Sequence, residues 1–270
     1  MRIEQGYQER GTAAVQVALA RRGALLLLGP AGCGRSALLT ELAALEAPLR
    51  RVWWCCGRAS GDPSGAPGLV APRAGPDALY GELMSEPTTV LVDDSHLLSD
   101  DVLRRVTWIA ERWEELDARL VASRRPARPA GELARFETAL VGAAGACHLS
   151  PLRPGAVADW LAATPHNDRS VDEIISRTGG WPELVAAELA DPGALVDLVA
   201  ARLGTLVDGA QLIVRAPAFG LPAGAAALAT ATGAGPDEVD GAIDRAATAG
   251  LLHGAPAPLP AVAEALRKLC

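Results

Sequence analysis

The sequence predicts an α/β fold built on a mainly parallel sheet, and three observations carry that prediction. Short apolar runs (Ala24 to Leu28, Val52 to Cys56, Thr88 to Val92, Leu120 to Ala122) alternate with longer stretches of helical periodicity. Continuous apolar runs fill strands buried on both faces, and strands that alternate with helices are joined by right-handed crossovers. The first run leads directly into GPAGCGRS, residues 29–36, a glycine-rich turn placed between a strand and a helix. The third run ends in Asp93-Asp94, two carboxylates at a strand terminus.

In chain order, Gln8 to Arg22 has alanine, valine and leucine at helical spacing and closes on Arg21-Arg22-Gly23, a helix-ending signature. After strand 24–28 and the glycine-rich turn, a helix begins near Arg35 and carries the periodic stretch ALLTELAALE. The strand at 52–56 precedes GRASGDPSGAPGLVAPRAGPD, whose Gly, Pro, Ala and Ser content reads as a long surface loop. A short helix around Ala78 to Met84 leads to the third strand. Ser99 then supplies an N-cap, and Asp100 and Asp101 an acidic first turn, for a helix whose Val102, Val106, Ile109, Trp113 and Leu116 share a face. The fourth strand ends in Ser123-Arg124-Arg125-Pro126, and Ala146 to Leu149 is the candidate fifth. Beyond Pro151 the strand runs stop, and residues 155–163, 170–178, 182–190 and several segments from 193 to 250 read as helices. Residues 1–150 are therefore expected to form one domain, 151–192 a helical element and 193–270 a second small domain. There is no internal repeat.

Composition narrows the function classes. A chain of 270 residues, half of them apolar and 21% charged, suits a packed globule with one larger and one smaller domain. The N-terminus MRIEQGYQER is polar, and no apolar stretch approaches the roughly 18 residues of a membrane span. The expectation is a cytoplasmic protein with no membrane partner. Net charge is −7, and residues 200–270 lack a basic helix, so direct DNA binding by this chain is not expected. The five cysteines show no C-x-x-C spacing and the four histidines no metal-ligand spacing; they read as reduced thiols and ordinary side chains. Cys33 stands apart, because a thiol at a helix start faces backbone N–H groups. Lys268 is the sole lysine among 25 basic residues, so the chain is strongly skewed toward arginine.

Residues 29–36 follow the spacing G-x-x-x-x-G-K-S/T of a phosphate-binding loop, with Arg35 where lysine is expected. Gly29, Gly32 and Gly34 let the backbone wrap so that successive N–H groups point inward, and the following helix adds its positive end. Ser36 can place a hydroxyl on Mg²⁺, and a cation at position 35 can reach the β and γ phosphates. Asp93 can hold the Mg²⁺ through water, while Asp94 can orient or deprotonate an attacking water. Arg124 reaches the same place if its strand inserts between the first and third, where a guanidinium stabilises charge on the transferred phosphoryl group. Each feature has a plain alternative: a turn without ligand, carboxylates that cap a helix, a solvated arginine. His96 is either a base beside the aspartates or a helix-start residue.

GPAGCGRS, VLVDDSHLLSDD, LVASRRP, LSPLRPGAVADWL and RTGGWPELVAAEL, in this order and spacing, resemble the nucleotide-binding module of the STAND class of signalling ATPases within the AAA+ group. Within that class the chain resembles the N-terminal ATP-binding region of the large LuxR-type transcriptional regulators of actinobacteria, over about residues 5 to 255. The resemblance implies a five-stranded sheet of order 5-1-4-3-2, a helical lid over 151–192 and a winged-helix-like domain over 193–270 that packs rather than reads DNA. It implies ATP or ADP with Mg²⁺, cradled by Gly29, Pro30, Ala31, Gly32, Cys33, Gly34, Arg35, Ser36 and Ala37. It also implies a base contact from Pro182 within Gly180-Trp181-Pro182, and partners that are other regulator domains or a second copy. Three departures stand out: Arg35 itself, Gly6-Tyr7 where a Gly-Arg pair is usual, and a resemblance that does not extend to the sensor repeats and C-terminal helix-turn-helix of such regulators, so the expectation is either a fragment of a longer regulator or a short member. Tyr7 can stack on adenine or simply pack.

The first functional reading is thus an ATP-binding, slowly hydrolysing regulatory switch of a transcriptional regulator, a candidate weak ATPase. The alternative is a catalytically silent nucleotide-binding or interaction scaffold with a degenerate loop, since a planar guanidinium is not a conservative replacement for an ammonium in a tight loop. A small-molecule kinase shares the loop but needs an acceptor base, for which only Asp94 offers itself. A DNA-binding repressor lacks its basic reader helix.

Overall fold

The five apolar residues of Ala24–Leu28 form β1, an internal strand of a parallel sheet, with Ala24 to Leu27 buried. The computed structural model describes residues 15, 23–56, 81, 83–113, 115–126, 129–144, 146–164, 168–221, 223–253 and 257–269. The chain divides into two units. One comprises Tyr7–Gly29 and Gly34–Leu149, the other Met1–Gly6, Pro30–Cys33 and Ser150–Cys270. They are called here the sheet unit and the helical unit.

In the sheet unit, β1 is joined by β2 (Arg51–Cys56), β3 (Thr88–Asp93), β4 (Ala118–Arg124) and β5 (Ala146–His148), all parallel, in the order β2-β3-β4-β1-β5. This is the expected order read from the opposite edge, with β4 inserted between β1 and β3. Alternation along the strands sorts side chains onto two faces. Leu26, Trp53, Cys55, Val90, Val92, Leu120 and Ala122 pack with α2 (Asp100–Ala110) and α3 (Gly131–Ala144) through Leu103, Val106, Ile109, Phe136 and Leu140. Leu25, Leu27, Trp54, Leu91 and Val121 face Leu38, Leu39 and Leu42 of α1 (Arg35–Glu46). Burial among these side chains pushes the Cys55 thiol up to about 11, so it acts as a small apolar residue.

At the other end of α1, Glu46 is buried and accepts from Thr89 Oγ1 at 2.8 Å and from Arg119 at 2.8 and 3.0 Å. A carboxylate removed from water is tolerated there because both of its oxygens have donors.

α2 departs from the sequence reading. It ends at Ala110, so Trp113 and Leu116 follow it in a turn, and its buried face is Leu103, Val106, Thr107, Ile109 and Ala110 rather than one beginning at Val102. The chain tightens through bonds from Arg112 N to Ile109 O and Glu115 N to Arg112 O, each 3.0 Å, which break the helical period. Ser99 occupies the N-cap position without a side-chain capping bond, while Asp100 and Asp101 supply the acidic first turn. The reading of 8–22 as a helix falls on Val15 alone among the described residues, and it is helical. The loop over 57–80 and Tyr7 lie outside the described residues, and residues 81 and 83–85 are helical.

The helical unit contains α4 (Pro154–Ala163), α5 (Val171–Thr178), α6 (Pro182–Ala190), α7 (Pro192–Leu203), α8 (Asp208–Arg215), a 3₁₀ turn (Ala216–Phe219), α9 (Ala225–Thr232), α10 (Pro236–Thr248) and α11 (Pro260–Lys268). Proline opens α4, α6, α7, α10 and α11, where its missing N–H costs no helical bond. Ser170 caps α5 by accepting from Glu173 N at 3.1 Å. A core of Leu184, Val199, Leu203, Val239, Ala246, Leu251, Val262 and Leu266 runs from α6 to α11. Buried Glu188 receives Arg169 at 2.5 Å and Arg177 at 2.6 Å, and Arg177 reaches on to Glu264 at 2.8 Å, tying α5, α6 and α11 together. Among the described residues after 192 there is no strand, so the paired strands of a wing are not shown. No helix among the described residues is long and apolar enough to cross a membrane.

Candidate functional site

Parallel strands present their C-terminal ends at one edge of the sheet, the edge where open α/β sheets place ligands. Registers fix what meets there: Leu28 of β1 pairs with Arg124 of β4, and Val92 of β3 with Ala122. The loop after β1, the aspartates ending β3 and the arginine ending β4 therefore converge in the sheet unit.

The loop leaves β1 at buried Gly29, whose N–H donates to Arg124 O at 3.3 Å. It re-enters helix at Gly34, the N-cap of α1, with φ 90°. Gly32 also has positive φ, 78°. Such backbone favours glycine, which is why the spacing repeats it. α1 starts at Arg35, so its first N–H groups sit at the end of the loop as the sequence requires. Ser36 is exposed and Ala37 half-buried on the first turn.

Arg35 is buried, 5% exposed. Its two terminal nitrogens go to different acceptors: Nη1 donates to Gly29 O and Nη2 to Asp94 Oδ1 at 3.1 Å. The cation of the loop and the second carboxylate thus touch directly.

Asp93 and Asp94 are 5% and 0% exposed. Asp94 adopts φ 49°, ψ 51°, left-handed backbone that Asp tolerates better than most residues, and it opens a 3₁₀ turn over Ser95–Leu97. Its N–H donates to Asp93 Oδ1 and to Ser123 Oγ, each at 3.0 Å, while Ser123 Oγ donates to Asp93 Oδ1 at 2.6 Å. Ser123 thereby fixes both carboxylates from the neighbouring strand.

Arg124 is buried, not solvated. It forms an ion pair with Glu137 of α3, through Nε to Oε1 and through Nη2 to Oε2 at 2.9 Å, and Nη1 donates to Arg125 O at 2.8 Å. His96 is half-buried on the 3₁₀ turn. Burial lowers its pKa from 6.5 to about 4; Asp94 pulls upward while Arg125, Arg35 and Arg124 push further down. Near neutral pH its ring is uncharged.

The tip of the loop, Pro30–Cys33, groups with the helical unit. There Gly32 O accepts from Glu183 N at 3.1 Å, and Glu183 forms an ion pair with buried Arg202, which also donates to Gly250 O at 2.7 Å. Cys33 is fully buried and Ala31 nearly so. Pro182, the first residue of α6, is buried in the same unit. Gly180 before it has φ 73°, and a Cβ there would lie 2.9 Å from Leu152 O, so this glycine is required by the backbone itself. The Trp181 ring lies tilted against that of His253, centroids 5.1 Å apart, and burial lowers the His253 pKa from 6.5 to about 4, with Arg202 acting in the same direction.

The donor set fits a hard divalent cation. Ser36 offers a hydroxyl and Asp93 a carboxylate, oxygen ligands of the kind Mg²⁺ takes alongside water and phosphate. Among the described residues no group of three or more His, Cys, Asp or Glu side chains forms a closed cage. Ser123, Glu137 and the Glu183–Arg202 pair were not singled out in the sequence. Ser123 adjoins a chosen arginine, whereas nothing in the local pattern marks Glu137.

No family model and no curated protein matches the chain. Among solved structures it is similar to a RuvB variant from Thermotoga maritima, 15% identical, covering 93% of this chain and 92% of that one with a TM-score of 0.49. It is also similar to the Orc1 protein of Aeropyrum pernix in complex with DNA, 17% identical over 97% and 92%, TM-score 0.44. A third is the replication initiator DnaA bound to AMPPCP and single-stranded DNA, 15% identical over 85% and 84%, TM-score 0.46. These are distant likenesses, and no ligand or partner is carried over from them.

Proposed function

We propose that this chain is a nucleotide-binding P-loop ATPase module of the AAA+ group that works as a slow regulatory switch. The observation that carries the reading is the contact of Arg35 with Asp94 at the C-terminal edge of a sheet whose inserted β4 brings Arg124 to the same edge. Three chain segments far apart in sequence supply a phosphate cradle, a carboxylate pair and a second cation in one place.

In this reading Gly29 to Ala37 cradle the phosphates of ATP or ADP through backbone N–H groups and the positive end of α1. Ser36 and Asp93 hold Mg²⁺, which neutralises charge on the phosphate oxygens when bound. Asp94 orients the attacking water and accepts its proton, and Arg124 stabilises charge on the transferred group. Pro182 takes the base contact that the motif resemblance implies. The order of motifs supports the finer assignment to the STAND class and to LuxR-type regulators, with a winged-helix-like domain over 193–270. Partners in this reading are other regulator domains or a second copy, in the cytoplasm.

A second reading is favoured by one observation: Arg35 already donates from both terminal nitrogens, to Gly29 O and to Asp94. In a silent scaffold this arrangement is permanent. Calorimetry with ATP and Mg²⁺, paired with phosphate release, separates the two. The switch predicts saturable binding, weakened in its Mg²⁺ dependence by Asp93→Ala, and slow phosphate release. Binding that Asp93→Ala leaves unchanged sinks the proposed metal site, and absence of any binding sinks the nucleotide reading.

A further inference from the structure

We propose that the Arg35–Asp94 pair is a latch that phosphate opens, so that filling the loop is what releases Asp94 to act. The proposal rests on the nucleotide-binding reading above and adds how that site is regulated. Its basis is that Arg35 spans two acceptors, the first carbonyl of the loop and the second carboxylate, with both side chains almost wholly buried. A guanidinium presents a fork of donors, so it bridges two acceptors where a compact ammonium offers one point of charge.

A phosphate entering the loop presents oxygens that compete for the same donors with a stronger, multiply charged acceptor. Transfer of Arg35 from Asp94 to phosphate leaves the carboxylate without that partner. The backbone of Asp94 does not follow, because its N–H is held by Asp93 Oδ1 and Ser123 Oγ, each at 3.0 Å. The carboxylate therefore stays in place while its charge becomes available to a water. While the pair is closed, the charge of the same carboxylate is engaged by the Arg35 guanidinium at 3.1 Å. The latch lowers apparent affinity by the factor with which the closed pair outweighs the open one.

The test is a double-mutant cycle read by ADP binding with Mg²⁺, which avoids turnover. Asp94→Asn suits the position, since asparagine accepts left-handed backbone and keeps the shape of the side chain. Removing the competing charge should tighten ADP by about tenfold in the Arg35 protein. In the Arg35→Ala background the same change should alter affinity by no more than about twofold, because no latch is left to open. An equal gain in both backgrounds would mean that Asp94 merely repels phosphate, and it would overturn the latch. Unchanged or weaker binding by Asp94→Asn overturns it too. If Arg35→Ala binds no ADP, failure of Asp94→Asn to restore binding supports the latch and restoration overturns it. If the parent binds no ADP but Asp94→Asn does, the latch is supported; if neither binds, the latch and the nucleotide reading fall together. Circular dichroism checks each fold, and Asp94→Ser carries the same expectation should the asparagine variant misfold.

Discussion

Arg124 at the end of β4 and Glu137 on α3 face each other as a buried pair, with Nη2 2.9 Å from Oε2. The pair fixes the guanidinium at the edge of the sheet where the loop and the aspartates lie. It does so from a helix that carries none of the motif residues.

Removal of Glu137 leaves Arg124 charged and buried without that counter-charge. Breaking a buried pair from one side costs about 3 kcal/mol or more. Glu137→Ala is expected to lose stability on that scale in urea unfolding, and Glu137→Gln, which keeps an acceptor, distinctly less. A loss below about 0.5 kcal/mol, the level of an exposed pair, would show that Arg124 is not held in this way.

On the proposed ATPase reading, Arg35→Lys should speed turnover. Lysine reaches phosphate as a compact charge and holds Gly29 O and Asp94 less firmly than the bridging guanidinium. Steady-state phosphate release is expected to rise on the order of tenfold, about 1.4 kcal/mol off the barrier. No change in rate would indicate that Arg35 already serves as well as lysine.

Two half-buried histidines set an acid limb. His96 and His253 have folded pKa values of about 4 against an ordinary 6.5, burial being the main cause in each. Between these values the unfolded chain binds protons that the folded chain does not, so stability is full above pH 6.5 and falls as pH drops toward 4. The melting temperature should fall by roughly 5 °C or more across this window, and the double variant His96→Gln, His253→Gln should flatten the slope. A slope identical in parent and double variant would place the acid sensitivity elsewhere.

Gly180 is required for its backbone. Gly180→Ala must accept φ 73° and push against Leu152 O, so it should destabilise the protein by about 2 kcal/mol, read as a lower denaturation midpoint without nucleotide. Leu152 N donates to Gly180 O at 2.8 Å, and hydrogen exchange at that amide should accelerate in the variant. Parental stability would leave nucleotide contact as the sole reason for the glycine.

Much of this architecture was legible because buried parallel strands write themselves as continuous apolar runs. Ala24–Leu28 was read with its observed bounds, and β2, β3 and β5 within a residue at either end. β4 was harder: Ala118, Arg119, Ser123 and Arg124 belong to the strand, but polar side chains at its ends masked its length. The α2 boundary failed because Trp113 and Leu116 continue an apolar spacing after the backbone has stopped being helical; periodicity reports burial, not hydrogen bonding. The loop and the aspartates were legible from local spacing. Glu137 and Glu183 were not, because their partners lie 13 and 19 residues away and no local rule links them.

The hydroxyl of Ser123 gives the site a dependence on how the chain is zipped. Ser123 follows Ala122, which pairs with Val92, and so stands opposite the aspartates only when β3 and β4 are correctly aligned. A slip by one residue would turn the side chains of β4 to opposite faces and offer Asp93 an alanine or a guanidinium instead. Correct placement of the carboxylates is therefore a checkpoint on assembly: a misaligned sheet cannot build the Ser123–Asp93 contact, so that contact reports a properly completed sheet.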